Sequence, residues 1–373
     1  MKIAQIDTYP LVLPVREVYG GAAGFLEDCR SLIVRLELEN GLEGWGEGTQ
    51  GRPGNTYETL ETMEVMTRKY FAPALIGMDV KETGRVIGRL DAVRSGHPIA
   101  KAAIETAVFD ALGKLFGLPI CRFFGGPYRK EIELVGGLGL DLDAEAIAAR
   151  ARRLKQDGFR SFKIKIGQKD LAKDVERVRA VRQAVGDEAS IRVDGNAAYS
   201  FTEARSILNQ LKPLRISDAE QPLARGDLKS LAELRLTADV PIAAQESVTS
   251  AQDALAVLEQ QAADLIKIKL THIGGFQRGH EIATVVGARG LSVVVGQGSA
   301  CTPMLSAAEM QLCCALKNAQ AAGEMTGFLR LGEQSLFTPL VVEGGKAYPP
   351  MTAGHGIEVD KLKLKELSTA FRL

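Results

Sequence analysis

The amino-acid sequence predicts an α/β fold in which a closed (β/α) barrel follows a small α+β domain. The first observation is a strand–turn–strand pattern over residues 31–48, which long helical stretches follow up to about residue 117. The second is a regular alternation of short apolar strands and amphipathic helices from about residue 131 onward. The third is a spacing of 29, 26, 26 and 23 residues between reactive side chains at the predicted strand ends, close to the length of one strand–helix unit.

The N-terminal domain is predicted from a hairpin signal. Apolar residues alternate with charged residues over 31–39, a pattern typical of a strand with one buried face. Asn40-Gly41 is a strong hairpin turn signal, and the next seven residues are predicted to return as the partner strand. Residues 56–117 are predicted to be helical, with breaks at Gly and Pro. Strands followed by helices predict an α+β domain that ends near Gly126.

The rest of the chain predicts a parallel barrel. The predicted strands cover residues 133–135, 161–166, 190–194, 216–220, 241–244, 264–270, 291–295 and 322–326. Seven or eight successive strand–helix units favour a closed barrel over an open doubly wound sheet. A Rossmann-like sheet ranks second, because no G-x-G-x-x-G motif follows an early strand. The tail from residue 327 loses the alternation and is expected to fold back on the N-terminal domain.

The composition excludes several classes of protein. The 373 residues carry 46 Lys and Arg against 46 Asp and Glu, which gives no electrostatic footprint for nucleic acid or an anionic membrane. No apolar run is long enough to predict a membrane span, and the N-terminus does not resemble a signal peptide. The five cysteines are scattered, without a C-x-x-C pair, which fits a reducing compartment. We therefore expect a cytoplasmic enzyme that acts on a small molecule.

Lysines stand at the ends of two predicted strands. Lys163 and Lys165 are two residues apart and so lie on one face of a strand, and Lys267 and Lys269 repeat this alternation on a later strand. On a solvent-facing strand the alternation would be ordinary, but two inward lysines in a barrel are costly unless they have a role. Each would also lower the pKa of the other, and a lysine with a lowered pKa is a usable base near neutral pH.

Carboxylates end three successive predicted strands, and they are Asp194, Glu220 and Glu246. In a barrel this rim is the active-site face. Three carboxylates there would repel one another unless a cation lay between them, and oxygen ligands of this kind suit Mg²⁺ or Mn²⁺. The competing interpretation gives each carboxylate to the N-cap of the following helix, which is common for a single residue. Three carboxylates in register favour the metal.

In order and spacing, these motifs resemble those of the enolase superfamily. The specific resemblance is to the muconate lactonizing enzyme subgroup of the mandelate racemase/muconate lactonizing enzyme family, and it covers essentially the whole chain. It depends on NGLEGWGEG at 40–48, GLPICRFFGG at 117–126, Lys163-x-Lys165, Asp194-x-Asn196, Glu220-Gln221-Pro222, and Lys269 followed by Gly274-Gly275. The resemblance implies a (β/α)7β-type TIM barrel over 127–326. It also implies an N-terminal α+β capping domain over 1–126, completed by the C-terminal segment 327–373.

The resemblance implies a divalent cation, Mg²⁺ or alternatively Mn²⁺. Asp194, Glu220 and an acidic residue at the end of the fifth strand would hold it, with Asn196 supporting the ligands. At the third position the subgroup usually has Asp-Glu-Ser with the Asp as ligand, whereas this chain has Gln-Glu-Ser with Gln245 in place of the Asp. Either Gln245 binds through its carbonyl, or Glu246 serves. Because a third anionic ligand holds a divalent cation better, Glu246 is the expected ligand.

The resemblance also implies a two-lysine mechanism. Lys165 and Lys269 would act as acid and base on opposite faces of the α-carbon of a carboxylate substrate. Lys163 would lower the pKa of Lys165 and neutralise the enolate. The subgroup with an Asp–His dyad on the sixth and seventh strands is not matched, since Lys269 replaces the Asp and residues 295–298 contain no histidine.

Glu324 and two loops bear on the type of reaction. Dipeptide epimerases carry Asp-x-Asp on the eighth strand to hold the substrate amine, whereas this chain has Glu-Met-Thr beginning at Glu324, which resembles cycloisomerases more closely. The loop at 18–25, which contains Tyr19, and the loop at 50–57 are expected to close over the substrate. His272 is expected to be a loop histidine without a role.

The expected function is that of a Mg²⁺-dependent isomerase that removes the α-proton of a carboxylate substrate to form a metal-stabilised enolate, as a muconate cycloisomerase does. Racemisation or epimerisation of an amino-acid derivative shares that first step and stays open. Dehydration of a hydroxy acid or a hydroxyproline-type substrate stays open for the same reason. A non-catalytic carboxylate-binding relative is the alternative from another class, motivated by Gln245. Family habit implies a homo-oligomer.

Overall fold

A sheet begins the chain. The computed structural model describes residues 1–54, 57–298, 300–332 and 335–369. Within the described N-terminal region, three antiparallel strands lie side by side in chain order: β1 (Ile3–Gly21), β2 (Gly24–Leu38) and β3 (Glu43–Thr49). The predicted turn joins β2 to β3, and Gly41 has the positive φ of 80° that suits glycine. Strand β1 is not predicted from the sequence, because prolines at 10 and 14 interrupt the alternation of apolar and polar residues.

Helices pack on this sheet. They are α1 (Leu60–Met66), α2 (Ala72–Leu75), α3 (Thr83–Val93) and α4 (Pro98–Phe116), with a π-helical turn, Thr67–Phe71, between α1 and α2. Helix α4 is buried on nearly all sides because it contacts both the sheet and the barrel. A Cβ on Gly44 would lie 2.0 Å from the carbonyl oxygen of Ala107, and one on Gly46 would lie 2.0 Å from that of Ala103. Glycines in β3 thus allow the backbone of α4 to approach the sheet.

Parallel strands then form a closed barrel, which the described residues build from eight strands. These are β4 (Ile132–Leu138), β5 (Ser161–Lys165), β6 (Ser190–Asp194), β7 (Asp218–Glu220), β8 (Ile242–Ala244), β9 (Leu265–Lys269), β10 (Val293–Gly296) and β11 (Ala322–Gly323). Strands β4 to β10 pair in chain order, and β11 pairs with β4. A bridge between Gly296 and Glu324 closes the ring. The predicted closed barrel is confirmed, and the open doubly wound sheet is excluded.

Helices surround the barrel between successive strands. They are α5 (Ala144–Gln156), α6 (Leu171–Val185), α7 (Phe201–Leu211), α8 (Leu228–Thr237), α9 (Ala251–Glu259), α10 (Leu270–Ile273), α11 (Phe276–Ala288) and α12 (Pro303–Ala315). The short α10 and the longer α11 both lie between β9 and β10, so seven strand–helix units precede the last strand, as the (β/α)7β expectation requires. None of the helices that the structure describes is long and apolar enough to cross a membrane.

The C-terminal segment contacts both domains. Strands β12 (Val341–Glu343) and β13 (Lys346–Tyr348) form an antiparallel hairpin, and β13 pairs with β4 of the barrel. Helix α13 (Lys361–Thr369) packs against β1, and Phe337 shares an apolar cluster with Trp45 of the N-terminal sheet. Contact with the N-terminal domain agrees with the expected return of the tail. The pairing of β13 with the barrel is a contact that the sequence analysis does not predict.

Two buried carboxylates of the N-terminal domain bind helix N-termini of the barrel. Glu47 on β3 accepts hydrogen bonds from the backbone nitrogens of Thr302 (3.0 Å) and Leu305 (3.1 Å) at the start of α12. Glu105 on α4 accepts one from the backbone nitrogen of Gln277 (2.9 Å) at the start of α11. The first N–H groups of a helix have no partner inside the helix and carry partial positive charge, so a carboxylate there is favourable. These contacts fix the N-terminal domain over the strand ends.

The contact between Glu105 and the start of α11 explains why glycine stands at position 275. Gly275 directly precedes α11 with φ 125° and ψ −171°, a conformation essentially restricted to glycine. A Cβ at Gly275 would lie 1.5 Å from Oε2 of Glu105. The second glycine of the Gly274-Gly275 pair is therefore required by both the backbone and the approaching carboxylate.

The buried carboxyl of Glu105 predicts a pH-dependent stability. Burial raises the pKa of Glu105 to about 8, although the N–H of Gln277 opposes the shift. The unfolded chain releases this proton near its ordinary pKa of 4.5, so the folded state binds more protons between about pH 4.5 and 8. The contribution of this group to stability therefore falls as the pH rises through that range. Glu105→Gln should be more stable than the wild type at pH 9, by a few kcal/mol, and nearly equal to it at pH 5.

Urea unfolding at the two pH values measures this difference. Glu281→Gln is the matched control, because Glu281 is exposed on α11 and its replacement should have the same small effect at both pH values. A Glu105→Gln variant that differs from the wild type equally at pH 5 and pH 9 would contradict the assignment.

Candidate active site

The barrel interior carries charge because alternate residues of its strands point inward. Strand β5 directs Lys163 and Lys165 inward, and β9 directs Lys267 and Lys269 inward; all four are at most 4% exposed. Strands β6 and β7 end on inward carboxylates, Asp194 (0% exposed) and Glu220 (1% exposed). Ammonium groups and carboxylates so deeply buried must pair with one another.

Lys163 and Lys267 lie at the centre of an ion network. The Nζ of Lys163 lies 2.7 Å from Oδ2 of Asp194, 2.7 Å from Oε2 of Glu220 and 2.9 Å from Oε2 of Glu324. The Nζ of Lys267 donates to both carboxylate oxygens of Glu220, at 3.0 and 2.9 Å, and also to Glu324. Burial opposes the charge on Lys163, but the three carboxylates outweigh it and hold the pKa of Lys163 well above its ordinary value. Lys163 is therefore a permanent ammonium.

The pKa of Lys165 is shifted in the opposite direction to that of Lys163. Its Nζ contacts Asp194 and donates to Oδ1 of Asn196 at 2.7 Å. Burial lowers the pKa of Lys165 well below its ordinary value, and the nearby guanidinium of Arg52 lowers it further, against the pull of Asp194. A neutral amine in this place can accept a proton.

Lys269 stands on the other side of the barrel. Strands β5 and β9 are four strands apart in a ring of eight described strands, so Lys165 and Lys269 lie on opposite walls. The Nζ of Lys269 donates to Oε1 of Gln245 at 2.9 Å. Burial and the charge of Lys267 lower the pKa of Lys269 to about 8. Near neutral pH this lysine can therefore give or take a proton.

A small cavity of about 40 Å³ lies between the two lysines. Tyr19 from β1 and Arg52 from the loop after β3 cover it, and the guanidinium of Arg330 lies 4.1 Å from the centre of the Tyr19 ring. Both predicted covering loops thus reach the cavity, although residues 55 and 56 of the second loop lie outside the described residues.

The expected role of Glu246 as the third metal ligand stays a prediction, and the geometry of β8 bears on it. Strand β8 ends at Ala244, and the alternation places Gln245, not Glu246, in the inward register with Asp194 and Glu220. Gln245 is 2% exposed and faces Lys269. Glu246 is the next residue and is half-buried. Its Oε1 accepts a hydrogen bond from Nδ2 of Asn196 at 2.8 Å. The expectation for Glu246 depends on charge, whereas the two-residue period of the strand places Gln245 inside the barrel.

Three converging acidic ligands are therefore not found. Among the described residues, no group of three or more His, Cys, Asp or Glu side chains is arranged to hold a metal ion. The donor set that does share the inward register is Asp194, Glu220 and the amide oxygen of Gln245. Two carboxylates and a neutral carbonyl are hard oxygen ligands, which fit Mg²⁺ or Mn²⁺. Asp194 and Glu220 already face a common centre, since both lie 2.7 Å from the same Lys163 nitrogen.

Glu246 and the lysines together fix the orientation of Asn196. Its Oδ1 faces the cationic side chains of Lys165 and Arg52, at 2.7 and 3.1 Å, while its Nδ2 faces the carboxylate of Glu246. Charges of opposite sign on the two ends of the amide permit one orientation only. Asn196 therefore contacts Lys165, and Glu246 holds it in place.

Several other residues line or contact the cavity and were not predicted from the sequence to belong to the site. Lys267 shares the predicted lysine alternation and could have been included on that basis. Arg52 lines the cavity from the loop after β3 and Arg330 from the short 3₁₀ helix Gly327–Arg330, and no periodic signal marks either residue. His272, expected to have no role, lines the same cavity, and burial together with the charge of Lys269 lowers its pKa well below the ordinary value. Glu324 lines the cavity as expected, with Lys163 and Lys267 bound to it.

Known proteins resemble this chain over both domains. Residues 15–125 match the family model for the mandelate racemase/muconate lactonizing enzyme N-terminal domain, and residues 146–363 match that for the enolase C-terminal domain-like region. Muconate cycloisomerase 1 of Rhodococcus opacus is 30% identical over 361 residues, which cover 96% of each chain. The crystal structure of N-succinyl Arg/Lys racemase from Bacillus cereus has a TM-score of 0.94 at 30% identity and covers 98% of each chain.

A third relative contains a metal. The crystal structure of dipeptide epimerase from Enterococcus faecalis, complexed with Mg and the dipeptide L-Leu-L-Tyr, has a TM-score of 0.91 at 30% identity. It covers 96% of this chain and 100% of that one. Cycloisomerases and racemases or epimerases are therefore about equally similar to this chain.

The ion network predicts that two neighbouring lysines of β9 differ in their effect on stability. Lys267→Met leaves Glu220 and Glu324 short of a buried counter-ion and should lower the free energy of unfolding by about 3 kcal/mol. Lys269→Met removes an amine whose pKa is already lowered and whose one hydrogen bond goes to a neutral amide, so it should cost less than about 1 kcal/mol. Urea unfolding in EDTA measures both without a contribution from bound metal. Equal costs for the two variants would show that the network does not carry the stability assigned to it.

Proposed function

We propose that this chain, which belongs to the mandelate racemase/muconate lactonizing enzyme family of the enolase superfamily, is an isomerase that moves the α-proton of a small carboxylate substrate between two lysines. The observation that carries the proposal is the placement of Lys165 and Lys269 on opposite walls of one cavity. Two bases on opposite sides of a carbon can remove its proton from one face and return a proton to the other. This arrangement favours racemisation or epimerisation.

The protein's own residues divide the work of proton transfer. Lys165, whose pKa is lowered by burial, accepts the α-proton from one face of the substrate. Lys269, with a pKa of about 8, is largely protonated near pH 7 and delivers a proton to the opposite face. In the reverse direction the two lysines exchange roles. Lys163 stays an ammonium throughout, and its fixed charge offsets the negative charge that develops on the substrate carboxylate.

A divalent cation completes the proposed site. Asp194, Glu220 and the amide oxygen of Gln245 would hold Mg²⁺, and Mn²⁺ suits the same oxygen ligands. When bound, the cation would supply electrostatic stabilisation to the carboxylate of the substrate. A dipeptide epimerase of the same fold contains Mg in its crystal structure, which supports this assignment.

Cycloisomerisation is the second candidate function. The similarity to muconate cycloisomerase 1 extends over 96% of each chain, and it favours this reaction as much as the racemase similarity favours the first. The sequence-based expectation of a cycloisomerase depends on Glu324. Since Lys163 and Lys267 bind that carboxylate, Glu324 is not available to select a substrate group. Because of the geometry of the two lysines, we propose racemisation or epimerisation as the first candidate and cycloisomerisation as the second.

The two-lysine proposal predicts stereospecific loss of exchange. Lys165→Met and Lys269→Met should each lower turnover by about 10²–10⁴-fold, since each removes an acid/base group. Each variant should still exchange the α-proton of one enantiomer with solvent deuterium, because the remaining lysine serves that face. Proton NMR in D₂O with a panel of enantiomeric N-acyl amino acids and other carboxylates measures the exchange.

The same measurement separates the alternatives. A cycloisomerase or a dehydratase need not show this division between enantiomers. A carboxylate binder without activity would bind members of the panel and exchange none of them. Wild-type turnover by Lys269→Met, with an unchanged circular dichroism spectrum, would refute the two-lysine mechanism.

The ligand assignment predicts the effect of three substitutions on Mg²⁺ affinity. Gln245→Asp adds an anionic oxygen in the inward register and should tighten binding by at least about tenfold. Gln245→Ala removes the oxygen and should weaken binding, whereas Glu246→Gln should change it little. Isothermal titration of EDTA-stripped protein with Mg²⁺ measures all three. If Glu246→Gln loses Mg²⁺ and Gln245→Ala keeps it, the assignment is wrong.

A further inference from the structure

We propose that Gln221 positions the third metal ligand: its buried side chain holds the backbone of Gln245, so that the amide oxygen of Gln245 shares one site with the two carboxylate ligands. Gln221 is then a positioning residue, which acts on the cation through Gln245 and does not itself bind it. This inference rests on the proposed function, in particular on the assignment of Gln245 as a ligand, and extends it by one residue.

The side chain of Gln221 uses its whole hydrogen-bonding capacity inside the protein. Gln221 is 0% exposed. Its Oε1 accepts hydrogen bonds from the backbone nitrogens of Gln245 at 3.0 Å and of Ser247 at 3.2 Å. Its Nε2 donates to the carbonyl oxygen of Leu223 and to Oγ of Ser247, both at 2.9 Å. Since a side-chain amide has two acceptor sites and two donor hydrogens, all four are used, and neither a metal nor a substrate can claim one.

The backbone of Gln221 joins three neighbouring strand ends. Gln221 directly follows Glu220, the last residue of β7. Its N–H donates to the carbonyl oxygen of Ala243 on β8 at 2.8 Å. Its own carbonyl oxygen accepts a hydrogen bond from the N–H of Ala197, which follows the end of β6, at 2.7 Å. This one residue thus contacts each of the three segments that carry a proposed ligand.

The backbone conformation of Gln221 is also unusual. Its φ is 37°, in the left-handed region that residues other than glycine seldom adopt. Such a conformation is costly, persists only where surrounding contacts enforce it, and is concentrated at functional sites. The hydrogen bonds of Gln221 supply this enforcement. They keep the residue after one carboxylate ligand against the backbone of the next strand end.

Gln245 needs this support because of where it lies and because it is neutral. It stands one residue beyond the end of β8, and its N–H bonds to the side chain of Gln221 in place of a neighbouring strand. Its amide oxygen carries only a partial charge, so it attracts a cation less strongly than a carboxylate would and contributes only from close range. The Nζ of Lys269 donates to the same oxygen at 2.9 Å. A small displacement of the backbone of Gln245 would therefore cost the site its third ligand.

A double-mutant cycle on Mg²⁺ binding tests the inference. Gln221→Met keeps the length of the side chain without its amide and should weaken Mg²⁺ binding by about tenfold or more, as loss of a residue that orients a metal ligand typically does. In the Gln245→Ala background the same substitution should change the affinity by less than about twofold, because the oxygen through which Gln221 acts is already absent. Isothermal titration of EDTA-stripped protein with Mg²⁺ measures all four affinities.

Gln311→Met is the matched control. Gln311 on α12 is also 0% exposed and also joins separate backbone segments, since its Oε1 accepts from the N–H of Cys121 at 3.0 Å and its Nε2 donates to the carbonyl oxygen of Pro350. Its replacement removes the same kind of buried contact away from the strand ends. It should leave the Mg²⁺ affinity within about twofold of the wild type.

Ser247→Ala is a milder second variant, which serves if Gln221→Met does not fold. It removes one partner of the Gln221 amide and should weaken Mg²⁺ binding by about two- to fivefold, again only where Gln245 is present. Circular dichroism establishes that each variant is folded. Unchanged Mg²⁺ affinity in Gln221→Met, or in Ser247→Ala where only that variant folds, would overturn the inference. An equal loss in both backgrounds would overturn it too, since a merely structural role predicts that result.

Failure of the proposed function gives a different result. If Gln245→Ala alone binds Mg²⁺ as the wild type does, the ligand assignment within the proposed function is wrong, and the inference falls with it. If Gln245→Ala weakens binding and Gln221→Met does not, the assignment stands and the inference about Gln221 fails. Exchange of α-protons in D₂O tests the two lysines separately and does not enter either comparison.

Discussion

Burial of charge in a closed barrel is the constraint on which this structure depends. Water cannot solvate the ammonium groups of Lys163 and Lys267, so both must contact carboxylates, and Asp194, Glu220 and Glu324 provide them. The same constraint creates reactivity where pairing is incomplete. Lys269 has a neutral amide as its partner, and burial together with the charge of Lys267 lowers its pKa. Pairing and reactivity are thus two results of one distribution of charge.

Much of this arrangement could be predicted from sequence because strands have a simple period. Two-residue spacing identified Lys163 and Lys165 as neighbours on one face, and the length of a strand–helix unit identified the closed barrel. The same period predicts that Gln245 lies inward, whereas a count of negative charges favours Glu246. In a strand as short as β8, three residues show little alternation, so the period is hard to read from the sequence there.

Other features could not be predicted from local patterns. The long strand β1 contains two prolines and lacks clear alternation, and its position depends on pairing with β2. Arg52 reaches the cavity from a loop and Arg330 from a 3₁₀ helix, so their placement depends on how the N-terminal domain and the C-terminal segment sit on the barrel. The contacts that decide this are made by Glu47 and Glu105 with residues about 170 to 260 positions later in the chain. Contacts between residues so far apart in the chain cannot be predicted from sequence patterns within ten or fifteen residues.

The carboxylates of Glu47 and Glu105 have a consequence for the biosynthesis of the protein. A ribosome releases them early, whereas the helix N-termini that they cap belong to the last third of the chain. Until α11 and α12 have emerged, both acids lack the helix N-termini that they bind in the finished protein, although Glu47 can already accept hydrogen bonds from Ser31 and Thr49 of its own sheet. The first domain to be translated is therefore among the last to reach its final place, and the cavity between Lys165 and Lys269 is complete only after nearly the whole polypeptide has been made.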